Sequence, residues 1–196
     1  HSFPTRRSSD LGSAIDSARS VAGGKKTTVL VGSDLTQEEG TLLQQFLSSH
    51  LPNARVFHFG TLGITSAKED AAADKVLKRK SKTANINGLE KLGFKGFDEK
   101  MPAETEFVLV FRGGRAQLPN LGGLPAVGVG VFMESEALPF SAILPGVSFA
   151  EKDGTILNFE GREQKIRRAI TPLGQSKPLS EILMMWINRK SSVGVA

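Results

Sequence analysis

The chain has 196 residues, of which 39% are hydrophobic and 23% charged, and its net charge is +5. This length and composition predict one folded domain with a sizeable core, and they argue against a disordered or membrane-spanning chain. The modest positive charge does not favour a nucleic-acid binder. The absence of cysteine excludes disulfides, zinc–thiolate sites and cysteine-ligated iron–sulfur clusters from these residues.

The first residues stand apart from the rest. Residues 1–11, HSFPTRRSSDL, resemble the translation of a widely used DNA-sequencing adapter, and no apolar block follows the arginines as it would in a signal peptide. We predict a non-native tail over 1–11, a single α/β domain over 12–190 and a loose tail over 191–196. The reading frame is expected to begin upstream, so that the chain is the C-terminal part of a longer protein.

Short β-branched runs alternate with helical patterns, which predicts an α/β fold with an open, mostly parallel sheet flanked by helices. The predicted strands are Thr27–Gly32, Ala54–Gly60, Phe107–Phe111, Ala126–Phe132 and Ala142–Leu144. The predicted helices are 12–22, a helix that begins after Thr36, a short helix ended by Gly93, and a C-terminal helix with an apolar stripe from Leu179 to Ile187, capped by Ser180. Thr36 with Glu39 three residues later has the pattern of a capping box.

Several polar features have two interpretations each. The turn Gly32–Leu35 lacks a glycine-rich phosphate fingerprint, so a plain βα turn is favoured over a nucleotide site. His58, inside a strand pattern, indicates a core or edge histidine rather than a metal ligand. Arg112–Arg115 (RGGR) follows a strand and could hold an anion or form a solvated turn; the sequence does not decide between them. The lysine-rich stretch 65–82 favours a solvated helix end over a docking patch for an acidic partner.

Charged, amide and glycine residues are densest between Ser141 and Pro178. Glu151 with Asp153 or Glu160 could in principle do acid–base chemistry, but loop carboxylates of this kind are more often solvated or paired with arginines. No GxSxG nucleophile elbow is present, and the histidines are poorly placed for acyl transfer. From its residues alone, the chain predicts no self-sufficient catalytic site.

The same stretch carries a family resemblance. Its relevant residues are Leu144-Pro145, Glu151, Gly154-Thr155, Asn158, Glu160-Gly161-Arg162 and Gln164, followed by Pro172, Gly174 and Ile182-Leu183. This pattern resembles a signature of the molybdopterin-oxidoreductase superfamily, and most closely that of the large iron–sulfur subunit of bacterial NADH-quinone oxidoreductase (respiratory complex I). Two other stretches are similar to the same family: Val29–Gly32, which runs into a capped helix, and Asn85 with Gly88 and Leu92-Gly93. The resemblance covers most of residues 25–190, and its specific part is 144–164.

The resemblance implies a cofactor-free structural and interaction domain in an enzyme that passes electrons from NADH to quinone. The full subunit would bind [2Fe-2S] and [4Fe-4S] clusters through cysteines upstream of this chain. The implied partners are the missing N-terminal domains of the same chain and other subunits of the complex I peripheral arm, with no nucleic acid. The implied location is peripheral, at the cytoplasmic face of the bacterial inner membrane.

The resemblance also implies which residues lie beside the former cofactor cavity. This vestigial pterin-side loop would comprise Glu151, Thr155, Asn158, Glu160, Arg162 and Gln164. No catalytic residue, metal or pterin is expected in this chain. Arg162 is expected to be held by Glu151 or Glu160 and to be withdrawn from solvent.

An active molybdenum enzyme is the alternative. The chain would then be one domain of an enzyme such as a formate dehydrogenase, which binds a bis-pterin molybdopterin guanine dinucleotide cofactor. Such enzymes continue into a β-barrel domain, so a native end at Ala196 would favour the complex I interpretation. A third option, a stand-alone α/β binding domain, requires an authentic N-terminus at residue 12.

Overall fold

A computed structural model describes residues 11–60, 84–112, 118–131 and 140–188. Predictions for the lysine-rich stretch 65–82, for residues 113–115 of the RGGR turn and for the tail 191–196 fall outside these described residues. Within the described ranges, no helix combines the length and the apolar composition needed to cross a bilayer.

The described elements follow one another along the chain as helices and strands. They are α1 (Leu11–Ala22), β1 (Thr27–Gly32), α2 (Gln37–His50), β2 (Arg55–Phe59), α3 (Ile86–Lys91), β3 (Lys95–Gly96), β4 (Phe107–Arg112), β5 (Ala126–Gly130), β6 (Phe140–Pro145), a 3-10 turn (Phe149–Glu151), β7 (Gly154–Leu157), β8 (Glu163–Ile166) and α4 (Leu179–Asn188). Leu11, which the sequence placed in the tail, is the first residue of α1 and is buried.

The strands β1 to β6 form one parallel sheet, which confirms the predicted α/β fold. Its order is β3-β2-β1-β4-β5-β6. Both faces of the central strands are apolar and buried, as in parallel sheets that are covered on both sides. In β1, for example, Val29 and Val31 belong to one core cluster and Leu30 to the other. The chain builds outward from β1 in one direction and from β4 in the other, so the topological switch point lies between these two strands.

Three helices cover one face of this sheet. Ile15 of α1, Leu43 of α2 and Leu183 of α4 are fully buried in the same core cluster. The rings of Phe46 and Trp186 meet edge-to-face with centroids 5.7 Å apart, which fixes α2 against α4. The opposite face buries a smaller cluster under the loop residues Phe97, Met101, Leu118, Leu121 and Leu124.

The predicted start of α2 is confirmed, whereas the predicted start of α4 is wrong. Thr36 is the N-cap of α2: its Oγ1 accepts the Glu39 N–H at 3.2 Å, and the Glu39 carboxylate accepts the Thr36 N–H at 3.0 Å. In contrast, α4 begins at Leu179, so the predicted cap Ser180 already lies in the first turn. Burial of Leu179 in the core draws the helix one residue earlier.

Residues 154–166, predicted as a polar loop, instead form an antiparallel hairpin of β7 and β8. Gly154 lies opposite Ile166, and Leu157 lies opposite Glu163. Asn158 orders the connecting turn, because its Oδ1 accepts the N–H groups of Glu160 and Arg162, each at 2.9 Å. Gly161 has a φ of 78°, a conformation that favours glycine. An asparagine followed three residues later by a glycine is thus the sequence pattern of this hairpin turn.

His58 is a buried strand histidine, as predicted, but the hydrogen bonds expected of a core histidine are not formed: neither ring nitrogen has a hydrogen-bond partner among the described residues. It is 5% exposed, and its Nε2 lies 3.6 Å from Glu90 Oε1, beyond hydrogen-bond distance. Burial lowers the pKa of His58, and the Glu90 carboxylate opposes this shift only in part.

This lowered pKa makes the folding stability depend on pH. As the pH falls below about 6.5, the ordinary histidine value, the unfolded chain takes up a proton that the folded chain does not. The free energy of unfolding should therefore fall as the pH drops from that value towards the folded pKa. We expect His58→Phe to flatten this slope in urea-unfolding measurements between pH 8 and 5. The His50→Phe control should keep it, and an unchanged slope in His58→Phe would contradict the assignment.

Candidate functional site

The carboxyl ends of β1 and β4 define the candidate site, since open α/β sheets place ligands beside their switch point. β1 leads through Ser33 and Asp34 into the N-terminus of α2. β4 ends at Arg112, which is only 2% exposed. The segment after β6 returns across this edge, and its side chains decide what the edge can bind.

A buried lysine occupies the edge. Lys152 is 5% exposed, and its Nζ donates to Glu39 Oε2 at 2.5 Å and to the Asp34 carbonyl oxygen at 3.0 Å. Glu39 is itself buried and uses the same oxygen to cap the Thr36 N–H. The cation of Lys152 is therefore already neutralised by a carboxylate that belongs to the α2 N-terminus.

Negative groups outnumber positive ones around this pair. Asp34, Glu38 and Glu39 all lie at the start of α2 or in the turn that leads to it. Burial raises the pKa of the Asp34 carboxyl, while the nearby Lys152 ammonium lowers it and offsets only part of that effect. The edge therefore carries both signs of charge, since the buried Arg112 lines the same crevice as Glu39 and Lys152.

The segment that follows Lys152 closes over the same helix end, and we call residues 152–157 the covering segment. The Thr155 N–H and Oγ1 donate to the Glu38 carboxylate at 2.9 and 2.7 Å. Burial raises the pKa of Glu38, but hydrogen bonds led by those from Thr155 outweigh it and leave that pKa below its usual value. The first turn of α2 thus binds the chain's own hydroxyl and amide groups.

The Asn85 side chain links the covering segment to the β1–α2 turn through hydrogen bonds to both. This side chain is completely buried. Its Oδ1 accepts the Leu157 N–H at 2.7 Å and the Gln37 Nε2 at 3.2 Å. Its Nδ2 donates to the Leu35 carbonyl oxygen at 2.6 Å. One amide therefore satisfies backbone groups of two separate segments and fixes their spacing.

Gly154 allows the covering segment to lie directly on the helix cap. A Cβ at this position would lie 2.7 Å from the Thr36 Cβ and closer still to the Thr36 methyl group. Only a residue without a side chain fits there while Thr36 keeps its capping rotamer.

We therefore expect Gly154→Ala to lower the free energy of unfolding by about 1–3 kcal/mol through overpacking. Gly23→Ala is the matched control, since its new Cβ would meet only ordinary contacts at 3.5 and 3.6 Å, and we expect it to be neutral or slightly stabilising. Combining Gly154→Ala with Thr36→Ser, which removes the obstructing methyl group but keeps the cap, should recover part of the loss in urea unfolding. Equal stabilities of the two alanine variants would refute the close packing.

The predicted pterin-side residues do not converge on one cavity. Glu151 is buried; its carboxylate accepts the Ser148 N–H and hydroxyl, each at 2.8 Å, and the Leu173 N–H at 3.1 Å. The backbone hydrogen bond from Ser148 is the main cause of a lowered pKa at Glu151, against the opposing effect of burial. Thr155 binds Glu38 and Asn158 orders the hairpin turn, while Glu160 and Gln164 are exposed.

The prediction for Arg162 is wrong in its main point. Its Nε does lie 3.5 Å from Glu160 Oε2, but its side chain is 80% exposed. Arg162 and Glu160 flank Gly161 at the tip of the hairpin, where both side chains reach into solvent. Glu151, the other predicted partner, is committed to Ser148 and Leu173. Arg162 therefore does not organise this loop.

The sequence did not indicate the burial of Lys152, whereas Asn85 and Gly154 both belong to stretches that resemble the family. Lys152 stands between Glu151 and Asp153 in a polar stretch that gives no sign of burial. Asn85 precedes a short helix and could have been noted as a cap, although its side chain forms no cap hydrogen bond. Gly154 was expected in a polar loop, so its place at the start of β7 and its close approach to Thr36 were not predicted.

The switch-point edge does not fit the molybdopterin guanine dinucleotide that the alternative, an active molybdenum enzyme, would bind. In the described ranges, no cluster of three histidine or carboxylate side chains could hold a metal ion. A crevice of about 20 Å³, lined in part by Arg112, Gly130 and Lys152, has room for about one water molecule. A helix N-terminus can bind a diphosphate through its free N–H groups, whereas here the Thr36 and Glu39 N–H groups are engaged in the capping box and the first turn carries Glu38 and Glu39.

Comparison with known proteins supports the family resemblance for the C-terminal part of the chain. Residues 127–186 match the sequence model described as molybdopterin oxidoreductase. A protein of Staphylococcus haemolyticus (strain JCSC1435) named "Putative formate dehydrogenase" is 42% identical over 62 residues, which cover 29% of this chain and 6% of that relative. The chain therefore spans only a small part of the relative's length. Membership of complex I stays a prediction.

Proposed function

We propose that this chain is a cofactor-free structural and interaction domain of an oxidoreductase related to the molybdopterin oxidoreductases. One observation carries the proposal: the switch-point edge of the sheet is closed by the chain's own Lys152–Glu39 pair. The family match over 127–186 supports the relationship, and the filled edge favours a domain that has kept the fold without the cofactor.

Within that class, we propose that the chain is part of the large iron–sulfur subunit of NADH-quinone oxidoreductase. There the domain would support electron transfer from NADH to quinone without taking part in it. Cysteines elsewhere in the complete subunit would hold the [2Fe-2S] and [4Fe-4S] clusters, since this chain has none. The partners would be those domains and other subunits of the peripheral arm, at the cytoplasmic face of the inner membrane.

The deciding experiment is the cofactor content of the complete protein, purified from its own organism through a tag on this chain. Metal analysis should find iron but no stoichiometric molybdenum, and acid treatment should release no stoichiometric GMP. The preparation should oxidise NADH with an artificial electron acceptor. Stoichiometric molybdenum and GMP would overturn the proposal.

A formate dehydrogenase-type enzyme is the second candidate, and the 42% identity to the Staphylococcus haemolyticus protein favours it. In that case the molybdopterin guanine dinucleotide would supply the redox chemistry. It would bind to residues other than those of the described switch-point edge. The same preparation would then contain molybdenum and GMP and would oxidise formate instead of NADH.

A further inference from the structure

Three large apolar side chains are exposed beside the covering segment. Phe149 is 69% exposed, Ile170 53% and Leu173 75%. They belong to one hydrogen-bonded unit, because the N–H groups of Ala169 and Ile170 both donate to the Ala150 carbonyl oxygen, at 2.8 and 3.1 Å. Single exposed apolar residues are ordinary, but a group of them on one unit marks an interaction site.

The backbone under these side chains is held in place by a buried group. The Leu173 N–H donates to Glu151 Oε1 at 3.1 Å, and the other oxygen of that carboxylate accepts from Ser148. Glu151 therefore fixes the segment that carries Leu173 against the 3-10 turn that carries Phe149. A surface whose backbone is already ordered loses less conformational entropy when it binds.

Three cationic residues come directly before Ala169 and Ile170 in the chain. Lys165, Arg167 and Arg168 are all exposed. None of their side chains forms an ion pair with a carboxylate among the described residues, whereas Arg162, Lys152 and Lys177 each have one. We call the three apolar and three cationic side chains together the basic-apolar surface. Aromatic residues and arginines of this kind are enriched at the centres of protein interfaces.

We propose that the basic-apolar surface docks a protein partner with an acidic rim around an apolar centre. The partner's carboxylates would pair with the three cations, and its apolar residues would cover the three apolar side chains. Charge complementarity selects such a partner. An anionic membrane fits less well, because Asp153, Glu160 and Glu163 are interleaved with the cations and the unit is not an amphipathic helix. This inference deepens the proposed interaction role and rests on it.

Site-specific photo-crosslinking in the organism's own cells tests the proposal. A benzophenone amino acid replaces Phe149 or Leu173 in the tagged chain, and mass spectrometry identifies the peptide that is captured. Met184, which is 47% exposed on α4, is the matched control position. We expect both test positions to capture the same protein, through a peptide with aspartate or glutamate beside apolar residues. Arg167→Glu combined with Arg168→Glu should lower the yield about tenfold.

Every other outcome overturns the proposal. These outcomes are a yield no higher than at Met184, a captured peptide without acidic residues, adducts with lipid, or a yield unaffected by the double charge reversal. Flotation of the purified protein with phosphatidylglycerol vesicles would assign the surface to a membrane. Both arginines are exposed, so the double variant should unfold at the wild-type urea midpoint. Cofactor content is measured separately, so failure of the docking surface and failure of the proposed function are distinguishable.

Discussion

Lys152→Met should lower the free energy of unfolding by about 3–5 kcal/mol, the cost of leaving one member of a buried ion pair alone. The substitution keeps most of the side-chain volume, so it removes the ammonium group without opening a large cavity. Glu39 would then remain buried without its cation, and the Asp34 carbonyl oxygen would lose its donor. Urea unfolding followed by circular dichroism measures the effect.

A double variant that also changes Glu39 separates the effect of the buried charge from the effect of packing. In Lys152→Met/Glu39→Gln the neutral amide can still cap Thr36, so less than half of the single-variant loss should remain, and the double-mutant cycle should show strong coupling. Lys177→Met is the control, because it breaks an exposed ion pair in which Lys177 Nζ lies 3.0 Å from Glu181 Oε2. It should lower the free energy of unfolding by at most about 0.5 kcal/mol. A Lys152→Met cost as small as that of the control would show that the pair does not stabilise the fold.

The buried pair explains why sequence reasoning succeeded for the sheet and failed for the site. β1 and β4 are continuous apolar runs buried on both faces, so their local composition was sufficient to predict them. Thr36 and Glu39 form a capping box within four residues, which is also a local pattern. Lys152 meets Glu39 across 113 positions of chain, and nothing near it in sequence distinguishes it from a solvated lysine.

The same reasoning accounts for the error at Arg162. An arginine close to several carboxylates suggests an internal ion pair, but the hairpin turn built by Asn158 and Gly161 carries Arg162 out into solvent. Glu151, the other expected partner of Arg162, is buried and accepts hydrogen bonds from Ser148 and Leu173 instead. Of the family-like residues in this stretch, Gly154 and Thr155 contact the N-terminus of α2 and contribute to the closure of the edge, whereas Glu160, Arg162 and Gln164 are exposed.

Closure of the edge depends on a second buried group, Asn85, whose removal should be nearly as costly. Asn85→Ala would leave the Leu157 N–H and the Leu35 carbonyl oxygen unsatisfied in the interior. At about 1–3 kcal/mol for each such group, we expect a total loss of about 3 kcal/mol. Amide hydrogen exchange should show faster exchange at Leu157, because its N–H loses the acceptor at 2.7 Å.

Two further variants test whether the effect belongs to the buried amide. Asn120→Ala removes an exposed side chain that, among the described residues, accepts the Gly122 N–H, and it should cost less than about 1 kcal/mol. Asn85→Asp keeps the acceptor for Leu157 but places a carboxyl oxygen against the Leu35 carbonyl, so the folded state should favour the protonated acid. Its stability relative to wild type should therefore improve as the pH falls from 7 towards 4. If Asn85→Asp shows no such recovery, the amide does not donate to Leu35, and Asn85 does not hold the β1–α2 turn against the covering segment.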